Sequence, residues 1–267
     1  MKRQLLTMLF VVLISSIVVG QSKAPTRKQN IHRNGGIACG SDPILPTDGS
    51  ATDDLVLSGS PSWYLVHLKA GHSYSVDVWD STDTAVIGGS ATLALIALDC
   101  TTTVSTTDQT AVDPDLSNNF GARISWIQVS DASGYLQVGT TDPSGDAYTI
   151  RITDTTLHNP RWTTYTHFVT SYGFMNTTNT SISGVLTMTD VLSGEHYVAN
   201  VTIPAGGQRF IIASATGGDI NVGKEAAGFA AFTFVGPPGA ILADSYYING
   251  NASVVVPSTF GARNDQH

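Results

Sequence analysis

Residues 62–80 read SWYLVHLKAGHSYSVDVWD, and the alternation in this stretch indicates the fold class. Apolar and polar side chains alternate on both sides of a turn at 69–71. An alternation of period two directs one set of side chains to a buried sheet face and the other set to the opposite face. We therefore predict two β-strands that pair as a hairpin around this turn. The side chains expected in the core are Tyr64, Val66, Leu68, Tyr74, Val76 and Val78.

The same alternation recurs in short segments along the rest of the chain, with turn-forming residues between the segments. The chain has 26 Gly, and only two of its 21 acidic residues are Glu, a composition that favours strands and turns over helices. We predict an all-β fold with two tandem β-sandwich domains. Further strands are predicted at 93–98, 123–129, 135–139, 147–153, 166–174, 185–189, 197–203, 210–213 and 228–235.

The first residues of the chain, 1–24, have the pattern of a cleaved secretory signal peptide. Two basic residues precede an apolar run over 5–19, and small residues follow it. Cleavage after Gly20 and cleavage after Ala24 both fit the pattern. The alternative is a membrane anchor, although the run is shorter than the roughly 20 residues of a spanning helix. We predict a secreted or cell-surface protein, extracellular or periplasmic, with no membrane span after signal cleavage.

The charge of the chain argues against nucleic-acid and membrane-surface partners. The formal net charge is −8, and removal of the three basic residues of the signal peptide makes it −11. Such a surface repels phosphate backbones and anionic lipids. Charged residues are only 13% of the chain, against about 25% in an average soluble domain.

Residues 25–50 show no sustained periodicity, and we predict that they form a flexible leader. The two cysteines of the chain, Cys39 and Cys100, both lie in the part that would be exported to an oxidising compartment. We therefore expect a disulfide between them. The alternative is two separate buried thiols; no CxxC or Cys/His spacing indicates a metal or redox site.

Two stretches in the first half resemble a known family. They are 62–80, with an aromatic strand and an AG-aromatic turn, and GYLQVGTTDPSGDAYTIRITD at 134–154, with a closing GxAYTIxI strand. On these motifs, residues 51–157 resemble the bacterial pre-peptidase C-terminal (PPC-like) domain, a small β-sandwich found beside secreted enzymes. The resemblance implies a sandwich of jelly-roll type, no catalytic residues, and a role in binding, secretion or spacing.

We place the boundary between the two predicted domains at 157–160, because the strand pattern stops there and Pro160 biases the preceding residue toward an extended conformation. Residues 158–267 are predicted to form an immunoglobulin-like sandwich. They loosely resemble the Ig-like modules of bacterial adhesins and cell-surface proteins, and this resemblance transfers no site residue. The stretches that carry it are NTT at 176–178, SGVLTMTD at 183–190 and VTIPAGG at 201–207.

No local signature of catalysis is present in the sequence. GxSxG, HExxH, a Walker loop and a Rossmann glycine fingerprint are all absent, and the seven histidines are scattered. We therefore predict no catalytic residues. A hydrolase with dispersed Ser, His and Asp groups is the alternative.

Aspartates with the spacing DxxDxxD follow the second predicted strand. Asp77, Asp80 and Asp83 could supply oxygen ligands to a structural calcium ion, which requires six to eight of them. The alternative is that these aspartates are ordinary turn residues. A second oxygen-rich loop contains Asp113, Asp115, Asn118 and Asn119.

Two tryptophans on the non-core side of the predicted hairpin suggest a ligand-binding surface. Trp63 and Trp79 have His67 and Asp77 nearby in the pattern, and flat rings beside hydrogen-bonding groups suit stacking against sugars or peptides. The alternative is that the leader or the second domain covers both rings.

From these observations we predict an exported, non-catalytic binding or structural protein that acts at the cell exterior through sheet faces, loops or strand edges. Its expected partners are extracellular protein, carbohydrate or further copies of itself, with no cofactor apart from the candidate calcium ion. The alternative is an accessory module of a secreted hydrolase system that binds polysaccharide or protein.

Overall fold

The chain forms a β structure that is almost entirely antiparallel. The computed structural model describes residues 34–40, 43–56, 59–80, 91–106, 121–140, 146–249 and 254–262. Within these ranges the helical element is a 3₁₀ turn at Tyr165–His167, and no helix has the length and apolarity needed to cross a bilayer. The strands are β1 (Asp48–Val56), β2 (Ser62–Leu68), β3 (Ser73–Asp80), β4 (Ala91–Ala97), β5 (Thr103–Thr106), β6 (Gly121–Ile127), β7 (Ala132–Thr140), β8 (Asp146–Asp154), β9 (Leu157–Thr163), β10 (Phe168–Asn176), β11 (Ile182–Asp190), β12 (His196–Ile203), β13 (Gln208–Ser214), β14 (Ile220–Asn221), β15 (Ala227–Phe234), β16 (Ile241–Asn249), β17 (Val254–Thr259) and β18 (Gly261–Ala262).

Strands β1 to β8 form two four-stranded sheets, which we call the N-terminal sheet pair. One sheet has the order β2-β7-β4-β5 and the other has the order β1-β8-β3-β6. The inward side chains of both sheets form one hydrophobic core. The predicted core residues of β2 and β3 are all buried in this cluster, which includes Tyr64, Val66, Leu68, Tyr74, Val76 and Val78.

Strands β9 to β18 form two five-stranded sheets, which we call the C-terminal sheet pair. The orders are β14-β13-β10-β16-β17 and β12-β11-β15-β9-β18. A second hydrophobic cluster lies between these sheets, with Trp162, Phe174 and Phe232 at its centre. The all-β fold class predicted from the sequence is confirmed. The contacts group Ile31–His267 into one unit, and the division into two domains stays a prediction.

The predicted pairing of β2 with β3 is wrong. β2 pairs with β7, whereas β3 lies between β6 and β8 in the facing sheet. The short connection at 69–72 therefore crosses from one sheet to the other instead of closing a hairpin. Both strands direct their apolar sides into the same core from opposite sheets, so the alternation is the same in either arrangement.

The predicted boundary at 157–160 is part of a strand. β9 contains Pro160, and its register with β15 shifts between the pairs Asn159–Ala230 and Trp162–Gly228. Pro160 thus lies in a β-bulge, one of the positions where a sheet tolerates a residue without an N–H. The connection between the sheet pairs is residues 155–156.

The described residues of the predicted leader are bonded to the N-terminal sheet pair and are not a free segment. We call residues 34–45, of which 41–42 are not described, the N-terminal strap. Gly36 exchanges backbone hydrogen bonds with Trp63 at 2.9 and 3.1 Å, and Leu45 donates its N–H to the Leu65 carbonyl. The strap therefore covers the outer edge of β2. The predicted signal peptide, 1–24, lies outside the described residues.

A buried carboxylate holds the start of the strap. Asp54 is fully buried and accepts hydrogen bonds from the backbone N–H groups of Asn34 and Gly35, at 2.6 and 2.9 Å. The hydroxyls of Tyr64 and Tyr148 also donate to it. Burial is the main cause that raises the pKa of both hydroxyls, so they stay protonated and act as donors. A buried charge is tolerated when donors of this kind surround it.

The disulfide predicted between Cys39 and Cys100 is confirmed. It links the strap to the turn that follows β4, across a sequence separation of 61 residues. The strap is therefore held at three places: at Asp54, along β2 and at Cys100.

We expect the Cys39→Ala, Cys100→Ala double variant to lose about 4 kcal/mol of unfolding free energy, because the disulfide closes a long loop in the unfolded chain. Chemical denaturation followed by tryptophan fluorescence measures this loss. The wild-type protein under reducing conditions serves as the control and should match the double variant. A loss below about 1 kcal/mol would contradict the chain-entropy argument.

We also expect Gly35→Ala to destabilise the fold by about 2 kcal/mol through overpacking. A Cβ atom at this position would lie 2.7 Å from Asp54 Oδ2 and 2.8 Å from Ser62 Cβ. Gly261→Ala is the matched control, because no atom lies within 4 Å of its added Cβ. Equal melting temperatures for the two variants would show that the strap does not need this close approach.

Candidate functional site

The structure does not bring the four predicted ligand-binding residues together. Trp63 and His67 belong to β2, whereas Asp77 and Trp79 belong to β3 in the facing sheet. All four point away from the shared core, so the two pairs lie on opposite outer faces of the N-terminal sheet pair. The expectation of one surface depended on the hairpin, which does not form.

Both tryptophan rings are largely covered. Trp63 is 9% exposed, contacts Tyr135 edge-on and lies on the strand that the strap covers. His67 bonds through Nδ1 to the Ser133 hydroxyl at 2.8 Å. Trp79 is 8% exposed. The rings offer little free area for stacking, and their ligand-binding role stays a prediction.

Asp77 is the centre of an ionic cluster on the outer face of β3. Arg123 Nε donates to one carboxylate oxygen at 2.5 Å, and Arg151 Nη2 donates to the other at 3.0 Å. The Arg151 guanidinium also lies 5.1 Å from the centre of the Trp79 ring. The two arginines flank Asp77 on the neighbouring strands β6 and β8, so the cluster links three strands of one sheet.

This cluster bears on the predicted calcium site. An ion at Asp77 would have to displace two guanidinium groups from its oxygens. The Asp80 side chain and Asp83 lie outside the described residues, as does the second predicted loop with Asp113, Asp115, Asn118 and Asn119. Among the described residues, no group of three or more His, Cys, Asp or Glu side chains is arranged to hold a metal. Calcium binding stays a prediction.

A second ionic cluster, which the sequence analysis did not identify, lies at the turn between β11 and β12. Lys224 Nζ is 3.1 Å from Asp190 and 2.9 Å from Glu195. The Ser193 hydroxyl donates to Asp190 at 2.7 Å and lies 3.4 Å from Lys224. Serine next to lysine is an arrangement that some hydrolases use, so the protonation of Lys224 decides what this cluster can do.

Lys224 is held in its charged form. Its hydrogen bonds to Glu195 and Asp190 raise the pKa of the ammonium group above the usual 10.5. The Ser193 hydroxyl is the main cause that lowers the pKa of Asp190 to about 2. A lysine that activates a serine must lose its proton near neutral pH, which requires a lowered pKa. The cluster therefore links the charged Lys224 to the two carboxylates at the turn.

A histidine–aspartate pair lies where the two sheet pairs meet. His72 Nδ1 is 2.5 Å from Asp154 Oδ2, and the His72 ring lies 5.5 Å from the His158 ring, centre to centre. The pair links Asp154 at the end of β8 to the residue that precedes β3.

Several exposed apolar side chains lie together on the outer side of the sheet that contains β10. Phe210 and Leu242 are each 55% exposed, and Met175 and Ile212 are also exposed. Met175 lies directly opposite Leu242 across β10 and β16. We call this surface the apolar face; its side chains are Val169, Met175, Phe210, Ile212, Leu242, Tyr246, Ile248 and Val255.

Gly173 lies at the centre of the apolar face, with Phe210 opposite on one side and Asp244 opposite on the other. The side chains of both neighbours extend over the glycine, so a Cβ there would meet Phe210 Cε1 at 3.2 Å. Asp244 accepts a hydrogen bond from the Tyr246 hydroxyl at 3.0 Å. An exposed ring thus lies close to a carboxylate and a phenol on a surface that also carries the polar residues Ser171 and Gln208.

This face was not predicted from the sequence, although the sequence contains a signal for it. Residues 210–213 are apolar at four consecutive positions, so β13 directs apolar side chains to both faces. In β16 the inward positions include Ser245 and Asn249, whereas Leu242 and Ile248 point outward. A strand with apolar residues on its outer face indicates a surface that meets something other than water.

Comparisons with known proteins add little. Neither a scan against protein-family models nor a search of curated proteins finds a match. Among solved structures, an uncharacterized protein from Burkholderia cenocepacia is similar with a TM-score of 0.30 and 10% identity, over 77% of this chain and 84% of that one. A beta-glucuronidase of Bacteroides uniformis is similar with a TM-score of 0.17 and 12% identity, over 76% of this chain and 26% of that one. Similarity at this level informs neither fold nor function.

We expect Ser193→Ala to raise the pKa of Asp190 from about 2 toward its ordinary 3.8, because the serine hydroxyl is the main cause of the lowering. A carboxylate with a lowered folded-state pKa stabilises the fold above its unfolded pKa, and this contribution is lost as the pH falls through the folded value. The acid-unfolding midpoint of the variant therefore moves to higher pH.

NMR titration of the Asp190 carboxyl carbon measures the pKa directly, and circular dichroism measures the unfolding midpoint. Ser183→Ala is the matched control, because the Ser183 hydroxyl pairs with Thr202 and does not contact Asp190. An unchanged Asp190 titration in Ser193→Ala would show that the Ser193 hydroxyl is not the main cause of the lowered pKa.

Proposed function

We propose that this chain is an exported, non-catalytic binding or structural protein that acts at the cell exterior through its sheet faces and strand edges. The apolar face of the C-terminal sheet pair is the observation that supports this proposal most directly. Two of its exposed members, Phe210 and Leu242, lie on strands of a hydrogen-bonded sheet. Exposed apolar patches of this kind mark contact with a partner.

The dimensions of the apolar face indicate the strength of the contact. Its side chains occupy four adjacent strands, β13, β10, β16 and β17, in rows that run across the sheet. With strands about 4.8 Å apart and same-face residues about 6.8 Å apart, four strands by four rows cover roughly 500 Å². A stable protein interface buries about 800 Å² on each partner. The face alone therefore suits a weak contact that is repeated on an extended surface.

The accessory role in a secreted hydrolase system is the second candidate function. The observation that favours it is the Phe210 ring beside Asp244 and Tyr246, since an exposed ring with neighbouring hydrogen-bonding groups is suited to stacking on a sugar. In that case the partner is a polysaccharide instead of a protein surface.

Co-sedimentation with the insoluble envelope fraction of the source cells tests both candidates. We expect the wild-type protein to sediment with the envelope, and the Phe210→Ser, Leu242→Ser double variant to lose about tenfold in affinity, because burial of two large apolar side chains is removed. Phe229→Ser is the matched control: Phe229 is 49% exposed and lies on the other sheet of the C-terminal pair.

Protease treatment of the envelope separates the two candidates. Loss of binding after proteolysis supports a protein partner, whereas retained binding, together with retention on cellulose, chitin or peptidoglycan, supports the accessory role. Equal retention of the double variant and the Phe229→Ser control would exclude the apolar face as the binding surface.

A further inference from the structure

The edge strands of the four sheets differ in how well they are protected. The outermost strand of a sheet has unpaired N–H and C=O groups on one side and can therefore pair with another chain. Natural proteins protect such strands with charged residues, proline, bulges, short length or a covering segment. An edge that lacks all of these protections is available for pairing.

Seven of the eight edges are protected within the described part of the chain. β2 is covered by the strap, β17 contains Pro257, and β1 has three aspartates and a register shift that starts at Asp48. β6 carries Arg123 and contacts β15 of the other sheet pair. The remaining three edges, β5, β14 and β18, are four, two and two residues long.

β12 is the exception. It has eight residues, HYVANVTI, with no proline and no Asp, Glu, Lys or Arg. Its register with β11 runs without a shift from Ile203 to His196. Val198 is 58% exposed, although it lies in the middle of the strand. About four residues of such a strand direct their N–H and C=O groups away from β11.

We propose that two copies of this chain associate through β12, as antiparallel strands that join two five-stranded sheets into one continuous sheet. Backbone N–H and C=O groups in a regular row recognise an extended polypeptide, since no other ligand repeats donors and acceptors at this spacing. The inference deepens the proposed function, on which it rests, by naming a second copy as one partner.

The sequence of β12 is compatible with pairing to itself. Residues directly opposite each other in an antiparallel pair point to the same side of the sheet, so outward side chains must face outward side chains. A pair centred on Ala199 satisfies this rule, with Val198 opposite Asn200 and His196 opposite Thr202 of the second copy. None of these opposed pairs contains like charges.

The charges beyond the two ends of β12 are complementary. Glu195 precedes the strand with its side chain 55% exposed, and Arg209 follows the next turn with its side chain 51% exposed. In an antiparallel pair, the start of one strand lies beside the end of the other. Each Glu195 therefore lies at the Arg209 end of the second copy, although within its own chain Glu195 is ion-paired with Lys224 and Arg209 with Asp219. The two-fold arrangement closes as a dimer.

Sedimentation velocity of the purified protein over a range of concentrations tests the proposal. We expect a concentration-dependent dimer for the wild-type protein and a dissociation constant raised ~10-fold or more for Val198→Lys, because two lysines then approach across the strand pair. An equal mixture of Val198→Lys and Val198→Glu should restore the dimer. Phe229→Lys, an exposed position in the centre of the same sheet, is the matched control and should dimerise like the wild type.

A wild-type protein that stays monomeric at all concentrations would overturn the proposal, and so would a Val198→Lys variant that dimerises normally. Failure of the mixture to recover would also count against pairing through β12. Envelope co-sedimentation of the same variants separates this result from the proposed function. A monomeric protein that still binds the envelope leaves the binding role intact, whereas a dimer that does not bind the envelope leaves only the β12 contact.

Discussion

The unpaired backbone groups at the edges of open sheets are the constraint on which much of this structure depends. Four open sheets have eight edges, and each edge must be covered, shortened, interrupted or left for a partner. The strap, its disulfide and its bonds to Asp54 all act on one of these edges, that of β2. Pro257 and the register shift in β1 act on two others. Among the edges formed by the described residues, β12 is the one without such a protection.

Several charged side chains in the described part of the chain link strands and segments. Asp54 joins the strap to two tyrosines, Asp77 joins three strands through two arginines, and Asp190 joins the β11–β12 turn to Lys224. In each case hydrogen-bond donors surround the carboxylate. For Asp190 these donors lower the pKa, with the Ser193 hydroxyl as the main cause.

The fold class and many of the strands could be predicted because alternation of period two is a local property. β2 begins and ends as predicted, and the inward set of β3 is buried as predicted. β1 was not predicted because its inward residue Asp54 is polar. The burial of Asp54 depends on hydrogen-bond donors from four other residues. β16 was missed because buried Ser245 bonds to Asn159, a contact that is distant in sequence. When polar residues lie on the buried face of a strand and apolar residues lie on its exposed face, the apolar–polar alternation that identifies a strand is lost.

Local chemistry along the chain was sufficient to predict an all-β protein and the pairing of the two cysteines, because alternation follows from backbone geometry and two cysteines allow one intrachain pair. Which strands are neighbours could not be predicted in the same way. β2 and β3 have the same pattern whether they pair or face each other across a core, and the choice depends on distant strands. The candidate site depends on which strands are neighbours. The strand order separates Trp63 from Trp79. It also brings Phe210 and Leu242 onto one surface, through hydrogen bonds between strands that are far apart in the sequence.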